Sequence, residues 1–528
     1  AVHFRHYEHE VTAQMQEDYR LTLGEVYEIS RPEAPAVLRL KLCGAEAAFA
    51  QDACEYAELH YRVEKARGYA HEGRLWSPGV FSVRLAPGGD AALVASTEPT
   101  ETMLAMTPAE ALWAEQERRR RLLRLAPPAA RQGAAAELVL AADQFVITPA
   151  GRHADAVRAT AEGDDLRSVI AGYHWFTDWG RDTMISLEGL TLTTGRVREA
   201  RSILRTFAHY VRDGLLPNMF PDGSNDGLYH TADATLWFFH ALDRYLRITG
   251  DDAIIERLLP TMTRIAERHL AGTRFGIGVD PADGLLRQGA DGYQLTWMDA
   301  KCDGWVVTPR RGKAVEINAL WYNALMVLAA WTERVHGGDA AQVWRGHARR
   351  AQHAFNARFW YASGGYLYDV VDGPDGDSAE CRPNQVFAIS LPHAVLDPAH
   401  WESVLGVVEQ RLVTPRGLRS LAPGSEHYAP RYFGSLRERD AAYHQGTVWG
   451  WLIGPWVDAW RKLHPDDADG GRRWLEGLVD HMSQFGIGSI AEVFDAEAPY
   501  TPRGCIAQAW SVAEVLRLLV GTHPAPRR

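Results

Sequence analysis

The sequence predicts a mainly helical fold: an (α/α)6 barrel of twelve helices behind a small β-rich region. Three observations predict it. Before residue 103 the apolar and polar side chains alternate in short runs, whereas from 134 apolar residues recur every three or four positions. Twelve helical segments then follow one another with no βαβ alternation. The links between them are alternately short and long, so the short links make antiparallel pairs and every long loop falls at one end. Six such pairs close into a ring whose long-loop end is the mouth of a pocket. An open α-solenoid competes, but no sequence repeat at a fixed period supports it.

In chain order, residues 1–103 form the β-rich domain. Strands are expected over 36–42 and 81–85, with turns at Pro78-Gly79 and Pro87-Gly88-Gly89. Residues 104–133 form a helical linker, whose helix over 107–125 ends at Pro127-Pro128. Its basic run at Arg118-Arg119-Arg120-Arg121 follows acidic residues and reads as a solvated helix face. Residues 134–528 form the barrel, with helices over 134–147, 181–194, 197–213, 231–249, 252–271, 314–336, 339–360, 382–391, 397–413, 445–463, 468–485 and 505–520. The third carries Ala200, Ile203, Leu204, Phe207, Ala208 and Val211 on one face and is expected to end at Gly214. The fifth carries Ile254, Ile255, Leu258, Leu259, Met262 and Ile265 behind N-cap candidates Asp251 and Asp252.

Composition narrows the function classes. Hydrophobic residues at 46% and charged residues at 23% exclude a disordered or collagenous chain. A net charge of −11 sets the surface against nucleic acid and anionic membranes. No uncharged apolar run approaches the ~18 residues of a membrane span. The start, Ala1-Val-His-Phe-Arg, has no signal-peptide core, so a cytoplasmic location is expected, and the absent Met suggests a processed chain or a fragment. Five cysteines without C-x-x-C spacing indicate neither a disulfide framework nor a zinc site. No Walker-type run or strand–GxGxxG–helix context is present, and no His spacing points to a metal, so neither cofactor nor metal is expected.

The 18 tryptophans exceed what a core needs, and the long loops hold an outsized share of them. The first carries Trp175, Asp178, Trp179, Arg181 and Asp182. The second leads to Asp233. The third carries Trp297, Asp299 and Trp305 and leads to Glu316. The fourth ends at Arg382-Pro-Asn-Gln385, the fifth holds Tyr443, His444 and Trp449, and the sixth holds Glu492. Indole faces cover the C–H side of a sugar, while carboxylates and Arg bond its hydroxyls in pairs. Glycoside cleavage needs two carboxyl groups astride the scissile bond. If the even-numbered helices are the inner ones, Asp299 precedes the sixth and Glu492 the twelfth, three positions apart on a ring of six and so opposed. Asp178, Asp182 and Asp233 lie on adjacent loops and suit binding better. Each residue also has a plainer reading. Asp182 and Glu316 can be charges at helix N-termini, and Glu492 can pair with a structural Arg. His174 and His444 can be loop hydrogen-bonding groups.

The segment Trp175-Phe-Thr-Asp-Trp-Gly-Arg-Asp-Thr-Met-Ile-Ser-Leu-Glu-Gly-Leu190 resembles the C-terminal glucosidase domain of glycogen debranching enzymes, the amylo-α-1,6-glucosidase family. So do Leu216-Pro-Asn-Met-Phe220, Asp233-Ala-Thr-Leu-Trp-Phe238, Thr296-Trp-Met-Asp299, 315–325, Arg382-Pro-Asn-Gln385, 443–450 and Ile490-Ala-Glu-Val-Phe494, in order over about 134–520. Leu75-Trp-Ser-Pro-Gly79 is similar to the family's leading β-domain, which the resemblance leads one to expect to be partial here. The resemblance implies a barrel related to glucoamylases, an inverting mechanism with Asp299 as general acid and Glu492 as general base, and hydroxyl binding by Arg181 and Asp182. It implies glycogen or a branched α-glucan as substrate. The bifunctional members carry a separate α-amylase-like (β/α)8 glucanotransferase domain; these 528 residues show no βαβ alternation, so the glucosidase half alone, coupled to a partner transferase, is expected. Alternatives are another α-glucosidase of glucoamylase or trehalase type, a barrel phosphorylase and, least favoured, a non-catalytic glycan-binding module. A phosphorylase needs a phosphate in place of a second carboxylate, and the paired acids argue against an inert module.

Overall fold

The computed structural model describes residues 1–2, 4, 19–32, 36–149, 151–174, 176–221, 226–467 and 470–521. Two compact units result, residues 1–121 with 433–435, and residues 122–432 with 436–528. The division falls within the linker helix.

The first unit pairs β1 (Arg20–Thr22), β2 (Tyr27–Ser30), β3 (Leu38–Cys43) and a later strand into a four-stranded antiparallel sheet. A long hairpin follows, β4 (Ala45–His60) and β5 (Glu72–Arg84), joined through α1 (Arg62–Arg67). The sheet is completed by β6 (Ala92–Ser96), after which come α2 (Thr100–Met103) and α3 (Pro108–Leu125). Tyr27, Phe49 and Phe81 pack together at 4.8–5.1 Å between ring centroids and supply an aromatic core. Pro78-Gly79, expected as a turn, lies inside β5. The pairing shifts register opposite it, and a Cβ on Gly79 would meet the Ala50 carbonyl at 2.2 Å. The second expected turn forms, with Gly89 N–H bonded to Ala86 O at 2.9 Å. No residue of α3 is buried, and Arg118 and Arg119 pair with Glu115 on its surface.

The second unit runs α4 (Gly133–Phe145), α5 (His153–Ala161), α6 (Gly180–Leu187), α7 (Val197–His209), α8 (Ala234–Thr249), α9 (Asp252–Ala271), α10 (Val315–His336), α11 (Gly338–Phe359), α12 (Phe387–Ser390), α13 (Trp401–Arg411), α14 (Leu436–Tyr443), α15 (Ile453–Leu463), α16 (Glu476–His481) and α17 (Ala509–Val520). The twelve expected helices are present as an (α/α)6 barrel. Its inner helices α6, α8, α10, α12, α15 and α17 each pack on the next, and α17 closes onto α6. Burial separates the two shells. Every residue of α6 is buried, whereas α7 and α9 bury one face each, built on the stripes Ala200, Ile203, Leu204, Phe207 and Ile254 to Ile265 and widened by Ser202 and Thr206 in the one and by Ala266 and His269 in the other.

The boundaries differ where a loop borrows residues for pairing. Segments 413–414, 417–419, 448–449, 493–494 and 502–503 form a five-stranded antiparallel sheet, so the tenth helix starts at Ile453 rather than 445. The twelfth likewise starts at Ala509 rather than 505. The third ends at His209, short of Gly214. Helices α5 and α14 arise inside stretches expected to be links. At the end of α6 the turns widen to π-type hydrogen bonding over Glu188–Leu192, where a Cβ on Gly189 would lie 2.1 Å from Ala513 O. That glycine permits the close approach of α17. All five cysteines are free thiols, and among the described residues no helix is long and apolar enough to cross a membrane.

Candidate active site

The long loops enter the inner helices at one end of the ring, and the carboxylates gather there. Asp182 stands in the first turn of α6, Asp233 is the N-cap residue of α8, and Glu316 stands in the first turn of α10. Asp299 lies on the loop before α10. Glu492 directly precedes the strand Val493–Phe494, which pairs with both Val448–Trp449 and Pro502–Arg503. Two ladders therefore fix its backbone.

Arg181 is the centre of the arrangement. Its Nε donates to Asp233 Oδ1 and its Nη1 to Asp299 Oδ2, both at 2.8 Å, and its Nη2 reaches Thr296 O at 3.1 Å and Thr231 Oγ1 at 3.3 Å. The residue is 1% exposed, so its fork is spent on protein acceptors. Asp233 is fully buried and also accepts from Thr231 Oγ1 at 2.7 Å. Burial raises the pKa of the Asp299 carboxyl above the usual range, although Arg181 pulls it back.

Glu492 accepts a hydrogen bond from the Tyr443 hydroxyl on Oε1 and from Cys505 N–H at 3.0 Å on Oε2. The close fit requires glycine at 504, with φ +60°, because a Cβ there would lie 2.4 Å from Glu492 Oε2. Asp182 links the two sides. It is buried, and its carboxyl is pushed up to about 8, first by burial, with Arg181 opposing and the charges of Asp299 and Glu492 adding. The Tyr443 hydroxyl is raised by burial and by Glu492, with a further contribution from Asp299. Asp182 and Tyr443 therefore both lie in the fields of Asp299 and Glu492.

The aromatic residues sit behind these groups. Trp297 meets His444, Trp449 and Trp451 edge-on at 5.1–5.4 Å, and His444 stacks on Trp449 at 4.9 Å. Trp297 and Trp449 are each 2% exposed, so they form a floor. Burial, with Arg382 next, drives the pKa of His444 well below its ordinary value, which makes it a neutral ring. Trp179 is half-buried, and Trp305 keeps a 38% exposed face with Arg437 at 4.7 Å from its centroid. Trp175 lies outside the described residues.

Two expected sugar ligands are engaged by arginines. Asp178 Oδ2 accepts from Arg152 Nη1 at 2.8 Å and from Ser168 Oγ at 3.0 Å. Glu316 is gripped on both oxygens by Arg310, which also binds Asp369 through Nε at 2.6 Å. Asp369 in turn accepts from Asn384 Nδ2 at 2.8 Å, whose Oδ1 takes the Trp297 indole N–H at 2.7 Å. Sequence reasoning missed Arg152, Arg310 and Asp369. It also missed Asp440 on α14, whose carboxyl is raised to about 6 by burial, against Arg439, and by Asp299 and Asp303. Its signal was the three-residue spacing to Tyr443 on one helix.

The family profile described as amylo-alpha-1,6-glucosidase matches residues 140–517. The chain belongs to this family. A second profile, glycogen debranching enzyme N terminal, matches residues 1–92. The glycogen debranching enzyme of Saccharomyces cerevisiae is 26% identical over 394 residues, which is 57% of this chain and 26% of that protein. This family member thus spans about a quarter of that relative's length. Among solved structures, a bacterial glucoamylase complexed with acarbose matches at TM-score 0.60 and 12% identity, over 94% of this chain and 72% of the other. A mannosylglycerate hydrolase from Thermus thermophilus, of glycoside hydrolase family 63, matches at TM-score 0.49 and 15% identity, over 70% and 99%. Family and fold together place the chain among the glycosidases.

Proposed function

We propose that the chain is an inverting amylo-α-1,6-glucosidase that releases the single α-1,6-linked glucose left on a trimmed glycogen branch. Asp299 protonates the glycosidic oxygen as the bond to C1 breaks. Glu492 takes a proton from the water that attacks C1 from the opposite face, and β-glucose leaves. The observation that carries this reading is the placement of Asp299, held by Arg181, and Glu492, held by Tyr443 and the Cys505 N–H, on loops entering opposed inner helices. The raised pKa of Asp299 suits a group that must hold a proton near neutral pH. The two donors on Glu492 suit a carboxylate that must stay oriented. A phosphorolytic enzyme needs no second carboxylate, and Glu492 therefore favours water as the nucleophile.

Within this reading Asp182 binds hydroxyls of the terminal glucose, Trp179 covers its apolar face, and Arg181 and Asp233 position Asp299. Asp178, Glu316, Trp297, Tyr443, His444 and Trp449 support the pocket, with Tyr443 acting on Glu492. The enzyme works in the cytoplasm, and a separate glucanotransferase activity shortens the branch beforehand. Incubation with phosphorylase limit dextrin, maltose and isomaltose, followed by NMR of the first-formed sugar, tests it. Limit dextrin should be preferred and β-glucose should appear first. Preference for maltose removes the debranching assignment, and early α-glucose removes the inverting one.

A further inference from the structure

The hairpin of the first unit carries a feature that glycoside cleavage does not use. Its two long strands end at His60 and begin again at Glu72, which face each other as register partners. The chain returns past His71, whose backbone carbonyl accepts from Tyr61 N–H at 2.8 Å and closes the mouth of the hairpin. The rings of His60 and His71 stand perpendicular, 5.0 Å between centroids. One ligand atom from each of His60, His71 and Glu72 lies within 4.8 Å of the other two. Among the described residues this is the one group of three His, Cys, Asp or Glu side chains so placed.

We propose that His60, His71 and Glu72 form a binding site for a zinc-class divalent cation. Two imidazole nitrogens and one carboxylate oxygen are borderline donors that suit Zn(II), Co(II) or Ni(II), whereas Mg(II) and Ca(II) require oxygen-rich shells. His71 supplies a detail that favours a ligand set over a chance cluster. Its Nδ1 contacts Tyr69 O at 3.1 Å, so Nδ1 carries the proton and Nε2 keeps its lone pair. A backbone carbonyl holding the far nitrogen is the arrangement that orients metal-bound histidines. The ligand atoms need only close to the ~3.4 Å edge of a tetrahedron with ~2.0–2.1 Å bonds, which rotation of the exposed His60 and Glu72 side chains toward the half-buried His71 provides. The fourth position belongs to water. The cation would add a side-chain tie between the end of β4 and the start of β5, beside the Tyr61–His71 backbone hydrogen bond that already closes the loop at its base.

Titration calorimetry of the full chain with ZnCl2 tests the site, with amide exchange over residues 61–71 as the second readout. The expected result is one Zn(II) per chain, not displaced by millimolar MgCl2. His60→Ala and His71→Ala should each weaken it at least about tenfold. Zn(II) should slow exchange in 61–71 in the parent protein and not in either variant. Co(II) should give the visible absorption of a four-coordinate site, lost in both variants. Both substitutions lie at an exposed hairpin end, and unchanged circular dichroism without metal confirms that they fold. Absence of stoichiometric binding, or binding that survives both substitutions, overturns the proposal.

Discussion

Arg181 holds Asp299 from beneath: Nη1 to Oδ2 is 2.8 Å, and the same guanidinium binds the buried Asp233 at 2.8 Å on its other edge. A cation that fixes a catalytic acid also lowers its pKa, so Arg181 trades proton retention for orientation. If Asp299 is the general acid, it is active when protonated, and activity is lost as pH rises through its pKa. Arg181→Met should therefore move the basic limb of kcat/KM to higher pH. It should also cost about 3–5 kcal/mol of stability, because the buried Asp233 loses its countercharge and keeps only the Thr231 hydroxyl. Unchanged pH limbs in a folded variant would show that Arg181 does not act on Asp299.

Asp299→Asn separates proton donation from binding. The amide keeps the shape but cannot protonate a leaving group. Turnover of glycogen should fall by ~100-fold or more, the usual scale of general-acid assistance. α-Glucosyl fluoride, whose leaving group needs little protonation, should remain a substrate. Equal loss on both substrates would show that Asp299 is not the acid.

Tyr443→Phe removes one donor from Glu492 while keeping the ring against Trp449 at 4.8 Å. A hydrogen bond to a charged group contributes about 1.5–3 kcal/mol, so kcat should drop by roughly 10- to 100-fold. Without this donor the ionised base is less favoured, and the acidic limb should shift upward. The melting temperature should barely change. A large stability loss with normal turnover would make the hydroxyl structural.

The barrel was legible because amphipathic stripes and alternating loop lengths are local properties of the chain. The proposed opposition of Asp299 and Glu492 followed from counting loops. The partners of the carboxylates were not legible. Arg310 reaches Asp369 across 59 residues, and Arg152 reaches Asp178 across 26, and no periodicity records such pairings. Helix α14 was hidden because Leu436–Tyr443 has almost no apolar stripe, with only Arg439 and Ala442 buried. The tenth helix is shortened because Val448 and Trp449 pair with Phe494 and Val493, and the twelfth because Ala507 and Gln508 pair with Tyr173 and Gly172, tertiary pairing prevailing over local propensity.

The Arg310 cluster predicts an asymmetry between two substitutions. One guanidinium is shared by two buried carboxylates, Arg382 Nε lies 3.7 Å from Asp369, and burial raises the Glu316 carboxyl despite Arg310. Arg310→Met takes the cation from Glu316 and leaves Asp369 with Asn384 and the more distant Arg382, and it should cost about 3–5 kcal/mol. Glu316→Gln leaves an Arg310–Asp369 pair with balanced charge and should cost nearer ~1 kcal/mol. Thermal unfolding measures both. KM for limit dextrin should stay within about twofold in Glu316→Gln, and a tenfold rise would return Glu316 to the sugar.

Asp182 carries a buried carboxyl whose ionisation works against the fold. Its carboxyl sits at about 8 in the folded protein against an ordinary value of 3.8, chiefly through burial and then through the charges of Asp299 and Glu492, with Arg181 opposing. The folded state therefore binds this proton more tightly than the unfolded chain does. The stability it contributes is fully present below pH 3.8 and is lost as pH rises to about 8. Asp182→Asn removes the ionisation while keeping the shape, so its melting temperature should exceed the parent's at pH 8 and approach it near pH 4. If Asp182 binds glucose hydroxyls as a carboxylate, the same change should lower kcat/KM by at least one to two decades, since charge-assisted hydrogen bonds contribute ~1.5–3 kcal/mol each. A strained acid retained against its own stability is the signature of a functional site. The opposite pair of results, a lower melting temperature at pH 8 with normal kinetics, would assign Asp182 to holding the N-terminus of α6 and not to sugar.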